Sequence, residues 1–156
     1  MASGKQNKLT GQIGEHLLSA KLGTLGYYAS PYSGNVPGFD VIALDAQSLR
    51  PVPIQIKTSN NNTRVHSAIN KWIEVSNDEK GFYHFGKLLE LANPDIIWVM
   101  IRIQNNELST ARYFICSESE IQKRIVKRFK TFMERHNYRR PGGGTSPQAN
   151  LHLQDV

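Results

Sequence analysis

The sequence predicts an α/β domain with a central mixed sheet between helices, and three observations predict it. Helical periodicity opens the chain at Leu9–Leu25 and returns at Ser119–His136. Short strand-like runs fill the interval, separated by Ser, Gly, Asn and Pro clusters. Among them Ile96–Ile103 (IIWVMIRI) is almost wholly apolar, as suits a strand buried on both faces. A chain of 156 residues, 39% of them hydrophobic, has material for one core. The expected organisation is one domain over residues 1–140, its core at about 10–116 and its basic helix at about 119–136, followed by a flexible Gly-rich linker and tail over 141–156.

The first helix carries apolar residues at Leu9, Ile13, Leu17, Leu18, Leu22 and Leu25, with Thr10 or Asn7 as expected caps and Gly26 as the stop. Strands are expected at Tyr27–Ala29, Phe39–Leu44 and Val52–Thr58, and a short one at Trp72–Val75. Asn60–Asn70 is polar and reads as a loop, while Phe85–Ala92 reads as a helix stopped by Asn93-Pro94. Ile96–Ile103 should turn through Asn105-Asn106 into a partner strand at Ala111–Cys116. The final LHLQDV is either a small strand or a disordered tail.

Charge narrows the function. The net charge is +6, and residues 121–140 hold eight Lys or Arg against one Glu, leaving 11 basic and 12 acidic residues elsewhere. A near-neutral body with one strongly basic element fits a polyanionic partner, nucleic acid first. On the helix from Ser119, Ile121, Ile125, Phe129, Phe132 and Met133 fall on one side, and Lys123, Arg124, Lys127, Arg128, Lys130 and Arg135 on the other, where they are expected to meet phosphates. Such contacts are independent of base sequence, and no helix-turn-helix or zinc-finger spacing supplies a base reader. No apolar run is long enough to span a bilayer, and the first ten residues lack the hydrophobic stretch of a signal peptide, so a cytoplasmic protein with no membrane partner is expected. One cysteine, Cys116, excludes an internal disulfide framework and a cysteine zinc site, and packing is its expected role. The five histidines show no ligand spacing, and Gly142–Gly144 follows a helix, which makes it a linker and not a phosphate loop.

The chemistry concentrates in Gly38-Phe39-Asp40-Val41 and Ile54-Gln55-Ile56-Lys57-Thr58-Ser59. On a strand Gln55 and Lys57 share one face and Ile54 and Ile56 the other. If the two strands form a hairpin, Asp40 joins Gln55 and Lys57 on one side, and Asp40 is the expected partner of a lysine held between apolar neighbours. Carboxylate, amide and backbone carbonyl oxygens are the hard ligands that Mg²⁺ (or Mn²⁺) prefers.

Asp40…Gln55-x-Lys57 resembles the PD-(D/E)XK nuclease motif, in the variant with Gln in place of the second acid. Glu15, within Gly14-Glu15-His16, resembles the helix glutamate of archaeal Holliday-junction resolvases and Mrr-like nucleases, and Ser33-Gly34 before Pro37-Gly38-Phe39-Asp40 resembles their SG…PD run. The likeness covers roughly residues 10–103. Here Gly38-Phe39 separate Pro37 from Asp40, and Gln55 removes one negative charge. The resemblance implies a restriction-endonuclease-like three-layer core and a metal-dependent DNA endonuclease that works as a homodimer without a small-molecule cofactor. Asp40, Gln55, the Ile56 carbonyl and Glu15 would surround the metal, Lys57 would be the catalytic lysine, and Ser33, Thr58 and Ser59 would contact phosphate. Two alternatives stand beside it: a nucleic-acid-binding protein of the same fold that does not cut, and an interaction subunit whose basic helix docks an acidic protein.

Overall fold

The structure, a computed structural model, describes residues 4–32 and 38–153. Helix α1 (Gly4–Thr24) leads into strands β1 (Tyr27–Pro31), β2 (Val41–Asp45) and β3 (Pro51–Asn60). Then come β4 (Arg64–Ala68), a 3-10 turn at Ile69–Lys71, β5 (Ile73–Asn77), β6 (Tyr83–Leu88), β7 (Ile97–Gln104) and β8 (Glu107–Ser117). Helix α2 (Glu118–Arg135) and strand β9 (Gln148–His152) complete the order.

The predicted mixed sheet is present, with five strands ordered β1-β2-β3-β7-β8 and a helix on each face. Only β3 and β7 pair in parallel within it. Strand β7 is the middle of the core because its alternate residues serve both faces. Val99, Ile101 and Ile103 join Ile54, Ile56 and Leu18 of α1, while Trp98 and Met100 join Ile121, Ile125, Phe129 and Met133 of α2. This is the near-continuous apolar strand its sequence predicts. The β7–β8 turn runs through Asn105 and Asn106 at φ 53° and 60°, the left-handed pair a two-residue hairpin needs.

Helix α1 packs Ile13, Leu17, Leu18 and Leu22 as the spacing predicts, although Leu9 and Leu25 near its ends are exposed. It begins earlier than expected, so Asn7 and Thr10 lie within it and cap nothing. Thr10 Oγ1 instead donates to the Gln6 carbonyl, the back-bond typical of a mid-helix hydroxyl. Gly26, at φ 87°, is the expected stop.

Three expectations are corrected. Phe85–Ala92 is not a helix: β6 pairs antiparallel with β5, turned by Asp78, whose Oδ1 accepts the Lys80 and Phe82 amides. Gly86 is needed there because a Cβ would lie 2.3 Å from Glu74 Oε2 across the pair. Asn60–Asn70 is not all loop either, since Arg64–Ala68 forms β4 and pairs with β9. The tail is therefore not free: Ala149, Leu151 and Leu153 are buried in the core with Met133 and Phe129. β4 is a polar, alternating strand whose partner β9 comes from far along the chain, whereas β6 takes its contact from the neighbouring β5. Buried Gln122 of α2 ties this region down by donating to the Trp72 and Leu89 carbonyls.

Candidate functional site

The site begins with a mismatch in strand length. Strand β2 pairs with β3 only as far as Val41 and Ile54, and β3 runs on past it. The Ile56 amide thus has no ladder partner on that side, and Asp40, one residue before β2, accepts it at Oδ2 over 2.7 Å. The Asp40 amide in turn donates to the Ile54 carbonyl at 2.9 Å. Asp40 is held at the fork where the two strands part.

Gln55 projects to the same place. Its Nε2 donates to Asp40 Oδ2 and lies 3.4 Å from the Ile56 carbonyl oxygen. The Gln55 amide is therefore within hydrogen-bonding reach of two other expected metal ligands, the Asp40 carboxylate and the Ile56 carbonyl. The expected alternation along β3 is also present: Ile54 and Ile56 are buried against α1, and Gln55 and Lys57 face away from it.

Glu15 arrives from α1. The helix crosses β3 at Gly14, where a Cβ would lie 1.7 Å from Thr58 Oγ1, so only glycine permits this approach. The next residue, Glu15, is half-buried, and its pKa is raised by burial first and by the Asp40 carboxylate second, with His16 opposing. Two carboxylates that repel across a partly desolvated gap are an arrangement a cation relieves. Among the described residues no three of His, Cys, Asp and Glu gather around one point. The residues that could hold a hard cation such as Mg²⁺ are the expected Asp40, Glu15, Gln55 amide oxygen and Ile56 carbonyl, whose donor atoms are of the type it prefers. Rotation of the Gln55 amide about its terminal torsion places Oε1 where Nε2 now lies.

Other expected residues divide. Lys57 is exposed and lines an open cleft of about 500 Å³. It forms no ion pair with Asp40, whose Oδ2 accepts from both Ile56 and Gln55, so the expected Asp40–Lys57 partnership is corrected. An exposed ammonium has no desolvation cost to offset. Thr58 also lines that cleft, but its hydroxyl turns toward α1 and is buried without a hydrogen-bond partner among the described residues. Ser59 lines the cleft and donates to the Asn62 carbonyl at 2.8 Å. Ser33 lies outside the described residues.

The basic side chains of α2 form one wall of a groove of about 790 Å³, and β9 lines the other. Lys123, Arg124, Lys127, Arg128 and Arg135 line it as expected. Lys130 does not; its ammonium sits 5.5 Å from the Phe85 ring on the other flank. Phe132, expected in the buried stripe, is 38% exposed on the groove wall, while Gln122 and Val126 are buried in the stripe. Sequence reasoning missed Arg64 and His152, which the pairing of β4 with β9 brings to this groove, and Arg140, which reaches it by donating to the Gln148 carbonyl. Their signal was weak, because Arg64 and His152 lie far apart in sequence. Cys116 is half-buried against the α2-side core, and burial pushes its thiol up, in keeping with packing.

No protein-family model and no curated protein matches the chain. Among solved structures it is similar to a bacterial homing endonuclease, I-Ssp6803I, with a TM-score of 0.47 and 13% identity over 74% of this chain and 72% of that one. No helix among the described residues is long and apolar enough to cross a membrane.

Proposed function

We propose that the chain is a metal-dependent endodeoxyribonuclease of the restriction-endonuclease-like kind, acting on DNA as a homodimer. The observation that carries this reading is the convergence of the Asp40 carboxylate, the Gln55 amide and the Ile56 carbonyl at the β2–β3 fork. Asp40, Glu15, Gln55 and the Ile56 carbonyl would hold Mg²⁺ or Mn²⁺, which when bound acidifies a water and neutralises charge on the scissile phosphate. The protein's own part is positional. Asp40 is fixed by two backbone hydrogen bonds, one at its carboxylate and one at its amide, so its carboxylate needs little reorganisation. Lys57, exposed at the cleft edge, offers a proton-donating cation to phosphate oxygens. Ser59 and the basic α2 groove hold the flanking backbone.

The test is cleavage of plasmid, linear duplex and four-way-junction DNA with Mg²⁺ or Mn²⁺. Asp40→Ala and Lys57→Ala should each lower the rate by roughly 10²-fold or more while DNA binding persists. Sedimentation with and without DNA tests the dimer.

A second reading is favoured by one detail: the Gln55 amide already donates to Asp40 Oδ2. A chain of this fold that binds DNA without cutting it would bind equally with and without Mg²⁺, and no substrate would be cleaved.

A further inference from the structure

The basic groove is more than the face of one helix. Strand β9 closes its second side, and Arg140 spans the two by donating to the Gln148 carbonyl while lying 5.4 Å from the Phe129 ring and 5.9 Å from that of Phe132. The acidic residue lining it, Glu120, is neutralised by Arg124 at 2.6 Å. Positive charge therefore dominates the groove.

Two features go beyond a docking surface for duplex. Phe132 leaves the buried stripe of α2 and stands in the groove, its ring 4.6 Å from that of His136. A lone exposed aromatic is ordinary on a protein surface. One set among cations inside a trough is a stacking platform, and paired bases inside a duplex have no free face to offer it. The second feature is Arg64, which lines both this groove and the Lys57 cleft. It pairs in register with His152 across β4–β9, so both side chains rise from the same face of that ribbon. The ribbon joins the two clefts by a positively charged step.

We infer that the α2–β9 groove seats an unpaired nucleic-acid strand, DNA or RNA, with bases against Phe132 and backbone passing over Arg64 toward Lys57. The direction of the strand rests on the nuclease reading of the Lys57 cleft; the groove's preference for unpaired strand does not. A volume of about 790 Å³ suits a few unpaired groups entering from an end or a junction.

Fluorescence anisotropy of the full chain in EDTA, with labelled oligothymidylate, oligouridylate and a blunt duplex of equal length, tests this without any cleavage. The single strands should bind more tightly than the duplex at matched salt. Phe132→Ala should weaken single-strand binding by about 5- to 150-fold and leave duplex binding unchanged. Phe132→Tyr, which keeps the ring, should restore it. Arg64→Gln should lower the slope of log K against log salt by about one. Thermal unfolding confirms that each variant is folded. Duplex binding equal to or tighter than single-strand binding, or Phe132→Ala weakening both alike, overturns the inference. If no DNA is ever cut but the single-strand preference holds, the nuclease reading fails and the groove stands. If duplex is cut without that preference, the nuclease reading stands and the groove's role fails.

Discussion

The two helices meet the same sheet in different ways. Helix α2 buries Ile121, Gln122, Ile125, Val126, Phe129 and Met133, and Ser117 caps it by accepting the Glu120 amide. Acidic Glu118 and Glu120 favour its first turn. Helix α1, though longer, buries only Gly14 and Leu18 and has no acidic residue in its first turn. The first is anchored by apolar contact and carries cations outward; the second is seated through a glycine and brings a carboxylate inward. More of α2 than of α1 is buried, whereas on the α1 face Glu15 is partly desolvated and has the Asp40 carboxylate as a neighbouring like charge.

Substitutions should separate the two. The largest stability effect is expected for Ile125→Ala, which empties a fully buried position on α2. A loss of about 2–5 kcal/mol should appear as a lower urea midpoint. Gly14→Ala strikes α1 instead. Its Cβ must displace Thr58 or the helix itself, with an expected cost of about 1–3 kcal/mol and a larger proportional loss of Mg²⁺ affinity by calorimetry. If Gly14→Ala leaves metal binding intact, the seating of α1 does not govern the site. Ser117→Ala should cost about 1 kcal/mol through the lost cap of α2, without altering the metal response.

The smallest effect is the most diagnostic. Glu15 has a folded pKa above its ordinary value of 4.5, so between the two values the native state holds more protons than the unfolded one. Stability therefore falls as pH rises through that window, and the penalty persists above it. Glu15→Gln should be slightly more stable than the parent at neutral pH without metal, and the advantage should vanish below pH 4.5. Added Mg²⁺ should erase or reverse it, because a cation favours the ionised carboxylate. Denaturation curves across pH, with and without Mg²⁺, measure both arms. A parent more stable than Glu15→Gln at pH 7 without metal would contradict the raising of the Glu15 pKa by burial and, secondarily, by the Asp40 charge.

Much of this was legible in the chain. The alternation of Ile54, Gln55, Ile56 and Lys57 fixed which side chains share a face before any tertiary contact was known. Asn105-Asn106 announced a hairpin because left-handed backbone suits asparagine. Phe85–Ala92 misled because Gly86-Lys87-Leu88-Leu89-Glu90 contains good helix formers. The contrary signal was the Asp78–Gly81 turn between Ile73–Val75 and Phe82–Phe85, the pattern of a hairpin.

The sequence by itself determined the local quantities: the sheet-and-helix periodicities, the cation-rich face of α2, and the residue types capable of holding a hard metal ion. These follow from spacing of 2.0 and 3.6 residues and from side-chain chemistry, which need no distant partner. Only the tertiary structure decided that β2 stops short of β3 and leaves Asp40 to take the Ile56 amide. Only it decided that Gly14 lets Glu15 approach, and that β9 returns to pair with β4 and wall the basic groove. The last two depend on chain segments far apart in sequence, whose meeting is set by the burial of Leu18 in one core cluster and Leu151 in the other, and no local pattern encodes where such partners meet.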